Sequence, residues 1–571
     1  MKLTKKLNRV FLVLAVVALV SCEDQLTELN VNPKGVDPET VQPNLMVTTV
    51  ITQTAQPYLK MSYDGDVAGV MQYVQKSGWG SGLNKYDWTS ERGWSGPFSN
   101  LRNTKHLYER SVEEGMEFQQ GLAIVLRAFN YGYVVDSWGE APYTAALNGD
   151  EGEQEDLFPV FDSQETIYRG IIAELEEANV LLSKAASAYT GIDPAADVLY
   201  GGDPAKWRKM ANSLMLRYYM RVSSKLPTFA QEGIEAIVSD PATYPIFTSN
   251  DDDATMGYIG SSSSDAWPNA IAFDASESNF DRVQLCAGFR DVLLELNDPR
   301  IAVWFNEVVI PIKISTAHSP EADIVVDGVR YIHPDSMVVD GVRNWVAYDK
   351  DTWPADIEAG RVLVDTHEYA GMPIASSTGD GSGWNLNPNV IQGGPNVHNS
   401  ALDDIYKEAS GDLLQARLIS YAEVCFILAE AAQKGWSVGS QQEWYENGVE
   451  ASFNTWGVGD DAAAYLAGTG VAYDGSLEQI MVQKWIANWT VAHESWCDWR
   501  RTGYPVLTLG PIATRDAMPL RFLYGNDEKN RNNTNYLNSI SGLEETAFTA
   551  QDGEDSSWSR FWLLQGTGLP Y

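Results

Sequence analysis

Trp79, Trp88 and Trp94 fall within 16 residues, where the chain average would place about half a tryptophan. Asn84, Tyr86 and Asp87 stand between them, and glycines surround them. This combination suits a sugar. An indole face receives the apolar C–H face of the ring, while nearby amides and carboxylates bond its hydroxyls. Trp267 and Trp384, in polar stretches rich in turn residues, are further candidates, and Trp345 and Trp353 are weaker ones. The competing reading is that these indoles pack onto helices as core.

Cys22 offers a second chemistry. Lys2, Lys5, Lys6 and Arg9 precede an apolar run from Phe11 to Val20, and Leu19-Val20-Ser21-Cys22 has the form of a lipobox. Ten apolar residues are too few for a bilayer core of ~30 Å. The segment reads as a signal peptide cut before Cys22, which leaves that cysteine acylated. The expected organisation is a signal at 1–21, a flexible tether at 22–45 and one binding domain at 46–571.

Motifs for bond-breaking are missing. There is no HExxH, GxSxG, Walker loop or dinucleotide fingerprint. Among 77 acidic residues no carboxylate pair stands out, and His493-Glu494 reads as helix surface or core. Asp251-Asp252-Asp253 lacks the glycine and glutamate of a calcium loop and reads as a solvated acidic turn. Cys286, Cys425 and Cys497 are odd in number and form no CxxC pair, and Cys425 reads as a core thiol. No metal, cofactor or enzymatic activity is expected.

The net charge of −37 becomes −41 once the four basic residues of the signal are removed. So anionic a body repels phosphate backbones, which argues against nucleic acid. The length exceeds what one core usually serves, ~250–300 residues, so stacked layers are needed.

Helical periodicity supplies them. Leu122, Leu126, Phe129 and Tyr133 form one stripe within 121–138. A helix should start near Asp162, with Glu165 completing a capping box, and bury Ile167, Ile171, Leu175, Ala178 and Leu182. Asp203-Pro204 should open another, running to about Arg221. Leu418, Tyr421, Cys425 and Leu428 mark a later stripe, and Trp485, Trp489, Ala492, Trp496 and Trp499 the next, read mainly as core. Between them lie loop-rich zones at 248–282 and 312–400, with short strands at Ile324–Val326 and Val338–Val339. Arg127, Arg217, Arg221, Arg500 and Arg501 sit near apolar stripes, as do Glu423 and Glu430. Some should pair as buried forks, because an unpaired buried charge is costly.

Several stretches together resemble the SusD/RagB nutrient-binding outer-membrane lipoproteins of Bacteroidetes. They are Leu126-Arg127-Ala128-Phe129, Trp138-Gly139-Glu140-Ala141-Pro142-Tyr143, Lys206-Trp207-Arg208, Tyr421-Ala422-Glu423, Trp444-Tyr445-Glu446 and Trp499-Arg500-Arg501-Thr502-Gly503-Tyr504-Pro505. The resemblance implies a mainly α fold: tetratricopeptide-like helical hairpins supporting a loop-rich, irregular half with few short strands. It implies a non-enzymatic lid over a SusC-like TonB-dependent outer-membrane transporter, capturing oligosaccharide or, in some members, peptide. It also implies a lipid anchor and cell-surface exposure, with Glu23-Asp24 after Cys22 looking like a surface-export signal. A surface glycoside hydrolase is the alternative from another class.

Overall fold

Asp203 opens a helix from the position its neighbour Pro204 marks out: its carboxylate accepts from the amides of Ala205 and Lys206 at 2.9 and 3.3 Å. The same logic of caps and stripes builds one half of the molecule. The computed structural model describes residues 40–149, 155–319, 323–376, 381–391 and 393–571; Cys22, the signal and most of the tether lie outside them. Ten helices of eleven or more residues occur among the described residues. They are α1 (Pro43–Tyr63), α2 (Ser95–Glu113), α3 (Glu117–Trp138), α4 (Gln164–Leu181), α5 (Pro204–Arg221), α6 (Pro227–Ser239), α7 (Tyr421–Gln433), α8 (Gln441–Thr455), α9 (Leu477–Ala487) and α10 (Ala492–Thr502). With Pro43 in its first turn, α1 takes in the last three residues of the expected tether. Helices α2 to α6 pack each on the next as successive hairpins; α7, α8 and α9 pack together, and α10 returns to α1 and α5. None of the described helices is long and apolar enough to cross a membrane.

The other half is loop with short strands: β1 (Val74–Lys76), β2 (Ala254–Gly257), β3 (Val283–Leu285), β4 (Ile312–Ile314), β5 (Asp323–Val326), β6 (Val329–Ile332), β7 (Val338–Val339), β8 (Val342–Arg343), β9 (Trp345–Ala347), β10 (Val362–Val364) and β11 (Gln415–Ile419). The pairings are β1 with β3, β2 with β11, β4–β6–β5, β7 with β8, and β9 with β10. The mainly α, hairpin-on-loop architecture is therefore as the sequence indicates, and the strands at 324–326 and 338–339 are present.

Three local expectations change. Asp162 does not cap α4; Ser163 does, accepting from the Thr166 amide. The Asp162 carboxylate serves two loop amides instead, those of Tyr143 at 3.0 Å and Thr144 at 2.8 Å. The tryptophan stripe 485–499 belongs to two helices, broken where Thr490 takes a left-handed φ of 72°. Its indoles are nonetheless core. The turn 251–253 is only partly solvated: Asp251 is exposed, but Asp252 is buried, accepts from the Thr248 amide at 2.8 Å and pairs with Lys209. Asp253 accepts from the Tyr421 amide, at the start of α7, at 2.6 Å.

Buried ion pairs lock the hairpins together. Arg217 of α5 forks onto Glu423 of α7, with Nε and Nη2 each 2.7 Å from a carboxylate oxygen. Glu494 of α10 lies 3.5 Å from Arg217, pairs with Arg221 and accepts from the Tyr58 hydroxyl of α1 at 2.8 Å. Arg221 also faces Asp136 of α3 at 3.1 Å. Burial raises the Glu494 carboxyl, but Arg217 and Arg221 outweigh it and hold the group well below the usual carboxylate range. Arg501 forks onto Glu430. Arg127 pairs with Glu174 at 3.0 Å. Arg500 departs from the expectation. Its guanidinium bonds the carbonyls of Asp136 and Leu520, at 2.7 and 2.8 Å, and lies over the Trp496 ring, with no carboxylate partner among the described residues.

Breaking a buried pair strands its partner's charge, at about 3–5 kcal/mol. Denaturant unfolding of Arg217→Ala should show a loss of that size. Arg531→Ala, which removes an exposed i,i+4 pair with Asp527, should cost less than about 0.5 kcal/mol. Equal losses in both variants would contradict the distinction. Asp253 supplies a pH signature. Burial pushes its carboxyl up to about 7, against the lowering by the Tyr421 amide and Arg417. Between its unfolded value near 4 and that folded value the native state binds the extra proton, so stability falls as pH rises, by up to about 1.4 kcal/mol per pH unit. From pH 5 to 7 the wild type should lose stability relative to Asp253→Asn, and a pH-independent difference would refute the assignment.

Candidate functional site

The loop-rich half presents Trp79 on a built mount. The first helical residues after it, 81–84, end in Asn84, whose side chain bonds back to the last residue of β1. The Lys76 amide donates to Asn84 Oδ1 at 2.8 Å, and Asn84 Nδ2 donates to the Lys76 carbonyl at 2.6 Å. Ser77 is tied on both sides, donating to the Arg282 carbonyl at 2.9 Å and accepting from the Gly393 amide at 3.1 Å. Between these clamps Gly78 and Trp79 both take left-handed backbone, φ 90° and 50°. For a bulky residue that conformation costs of order 1 kcal/mol and persists only where its surroundings impose it. The indole is 78% exposed, the one exposed tryptophan among the described residues. Its inner face rests on the Arg282 guanidinium, 4.5 Å from the ring centroid, and Arg282 is held by Asn279 Oδ1 at 3.1 Å. The outer face is free.

A cleft of about 670 Å³ opens on the adjoining segments. Phe280 and Asp281 lie just before Arg282 and β3, and Gln284 on β3 itself. The chain at 305–307 and 396–404 completes the walls, joined by bridges Gln284–Ala401 and Phe305–Leu402. Tyr369 and Asn306 reach the cleft with partly exposed side chains, while Phe280, Phe305, Gln284, Asn396 and Asn399 are buried residues that form its floor. Some of these amides are fixed from behind. Asn399 accepts from Trp384 Nε1 at 2.9 Å, and Asn396 donates to the Trp384 carbonyl at 2.9 Å. Asp281 is half-buried, and burial together with Glu277 pushes its carboxyl up to about 6 despite Lys407. Apolar rings with directed amides around an open cleft suit a ligand with C–H faces and hydroxyls.

The other candidates from the sequence sit elsewhere. Tyr86 is buried, its hydroxyl bonded by Gln72 and donating to the Val70 carbonyl at 3.2 Å. Trp88 is buried against Trp496 and Phe522, with Nε1 on the Gly82 carbonyl at 3.0 Å. Trp267 is wedged among Tyr63, Tyr258 and Tyr406. Trp345, on β9, and Trp353 are buried. Covered ring faces cannot receive a sugar, so these indoles are scaffold. Trp384 is also buried and acts behind the cleft wall. Trp94, 6% exposed, reaches the edge of a separate cleft of about 490 Å³ on the helical half, where its Nε1 donates to Glu528 at 2.9 Å. The seven expected positions, Trp79, Asn84, Tyr86, Trp88, Trp94, Trp267 and Trp384, thus divide: Trp79 presents a face, Asn84 mounts it, and the rest pack. Sequence reasoning missed Phe280, Phe305, Tyr369 and Asn306. Their only signal is proximity to the loop-rich zones, since the cleft draws on segments up to about a hundred residues apart.

The one described grouping with metal-ligand spacing is Asp136, His493 and Cys497, all buried. Arg221 and Arg500 stand against it, Arg500 Nη2 at 3.0 Å from the thiol, and burial pushes that thiol far up. Two fixed cations make the spot hostile to a third, so these groups belong to the core's polar network.

Residues 36–312 and 385–525 match the family model of SusD-like proteins, described as starch-binding and associating with the outer membrane. The stretch outside the match carries β5 to β10. No curated protein sequence matches the chain. Among solved structures, a SusD homologue of Bacteroides fragilis is 19% identical, with a TM-score of 0.66 over 92% of this chain and 100% of its own. One of Bacteroides thetaiotaomicron is 22% identical, with a TM-score of 0.63 over 93% and 99%.

 A chitin-binding SusD homologue from Flavobacterium johnsoniae is 19% identical, with a TM-score of 0.64 over 91% and 99%. With most of its length inside the family model and its fold shared end to end with SusD homologues, the chain belongs to the SusD-like family of nutrient-binding proteins associated with the outer membrane.

Proposed function

We propose that the chain is a non-enzymatic, cell-surface lipoprotein that captures an oligosaccharide and hands it to a SusC-like TonB-dependent transporter. One observation carries the ligand class: the Trp79 indole stands exposed on Arg282, next to segments that line an amide-bearing cleft. A flat apolar face beside directed polar groups matches the two-sided chemistry of a sugar ring. The starch-binding description of the family and the chitin-binding relative support a glycan over a peptide. In this reading residues 1–21 are the signal, 22–45 the tether and 46–571 the binding body. Cys22 carries the anchor, with more than one acyl chain needed for stable attachment. Binding must be weak enough for release, so a few hydrogen bonds and one stacked ring suit the task.

A glycan array followed by calorimetry, on protein beginning after Cys22, tests the ligand reading. Trp79→Ala should bind the selected glycan at least tenfold more weakly, about 1.4 kcal/mol, with its near-ultraviolet circular dichroism otherwise that of a folded protein. Undiminished affinity would remove Trp79 from the site, and binding to protein digests without any to glycans would replace sugar by peptide. For the anchor, Cys22→Ala should lose palmitate labelling and leave the membrane fraction. Retention of the label would contradict lipidation at that residue.

A further inference from the structure

Asp281 has no hydrogen bond and no ion pair to its carboxyl among the described residues, although it is half-buried in the wall of the cleft. Each charged group around it is accounted for. Glu277 and Asp274, from its own turn, are acidic and add to its field. Glu307 and Asp404 line the same cleft. Lys407, the one cation in the lining, is engaged: its ammonium lies 2.9 Å from Asp404 and 5.2 Å above the Phe280 ring. Arg282 is the next nearest in sequence, but it is buried under Trp79 and held by Asn279. The cleft therefore offers one half-buried carboxylate in want of a donor, Asp281, and no free cation among the described residues.

We propose that this cleft sorts glycans by charge, with Asp281 accepting from the hydroxyl, amide or ammonium groups of neutral and amino sugars while uronic-acid and sulfated sugars are refused. The proposal rests on the glycan-binding reading above. A hydroxyl or ammonium donor would give Asp281 a charge-assisted bond, stronger than a neutral one. A carboxylate or sulfate in the same place would meet like charges at close range and would have to draw Lys407 away from Asp404 to find a counter-ion. Discrimination by an unmet polar group is the kind a binding site does well, because the wrong ligand leaves that group unpaired and desolvated.

The test is an array of matched oligosaccharides, each backbone in neutral, amine-bearing and uronic-acid form, read at pH 7 and again at pH 5. For the wild type, the uronic form of any bound backbone should be at least tenfold weaker than the neutral form at pH 7. That gap should narrow at pH 5, where Asp281 takes up a proton. Asp281→Asn should narrow it at pH 7, and Glu307→Gln, at an exposed position, gives a second variant with the same expected direction. A uronic or sulfated glycan bound as tightly as its neutral counterpart would overturn the proposal while leaving glycan binding in place, as would an unchanged gap in both variants. Absence of any glycan binding by the wild type would overturn the parent reading and this one with it.

Discussion

The Arg217–Glu423 fork, with Glu494 and Arg221 beside it, is the constraint on which the rest of the molecule depends. It joins α5, α7 and α10 in a place water does not reach, and Tyr58 and Asp136 bring α1 and α3 into the same network. Hydrophobic burial alone would let such helices slide, since apolar contact is not directional. Paired buried charges tolerate few arrangements, because any shift exposes a buried ion to an apolar neighbour. The fork thus fixes how the chain's early hairpins meet the late ones, more than two hundred residues away in sequence.

From that hub an aromatic wall carries order outward to the loops. Tyr73 stacks on Trp485 at 5.5 Å, and Phe289 lies nearly parallel to Trp304 and Trp489. The Trp489 indole donates to the Tyr406 hydroxyl at 2.7 Å. These rings pin β1 and the segments around β3 to the helical half. Asn84 and Ser77 then fix the short turn that lifts Trp79 away from the surface. An irregular loop can present a ligand face reproducibly because each step beneath it is tied to packed helices.

What could be read from the sequence follows the range of the interactions involved. Helix stripes and the Asp203 cap are local, and they were legible. The Arg217 and Arg501 forks were legible as a class, since an arginine among apolar residues needs an acceptor, though Arg500 found carbonyls rather than a carboxylate. Adjacent capping residues were harder to separate, as Ser163 and Asp162 show. Trp79 and Trp88 look alike in sequence; only the three-dimensional packing of Trp88 on Trp496 and Phe522 tells them apart. The cleft walls come from segments too distant for any spacing to reveal, and the Asp253 carboxylate is engaged by a helix start some 170 residues later.

Hydroxyl-radical footprinting of the protein, with and without a polysaccharide digest that it retains, addresses the central claim most directly. The expected result is protection of Trp79 and of Tyr369 in the cleft, with Trp88 and Trp267 unreactive in both states. Protection confined to the Trp94–Leu157 cleft of the helical half, with Trp79 still freely oxidised, would contradict the account.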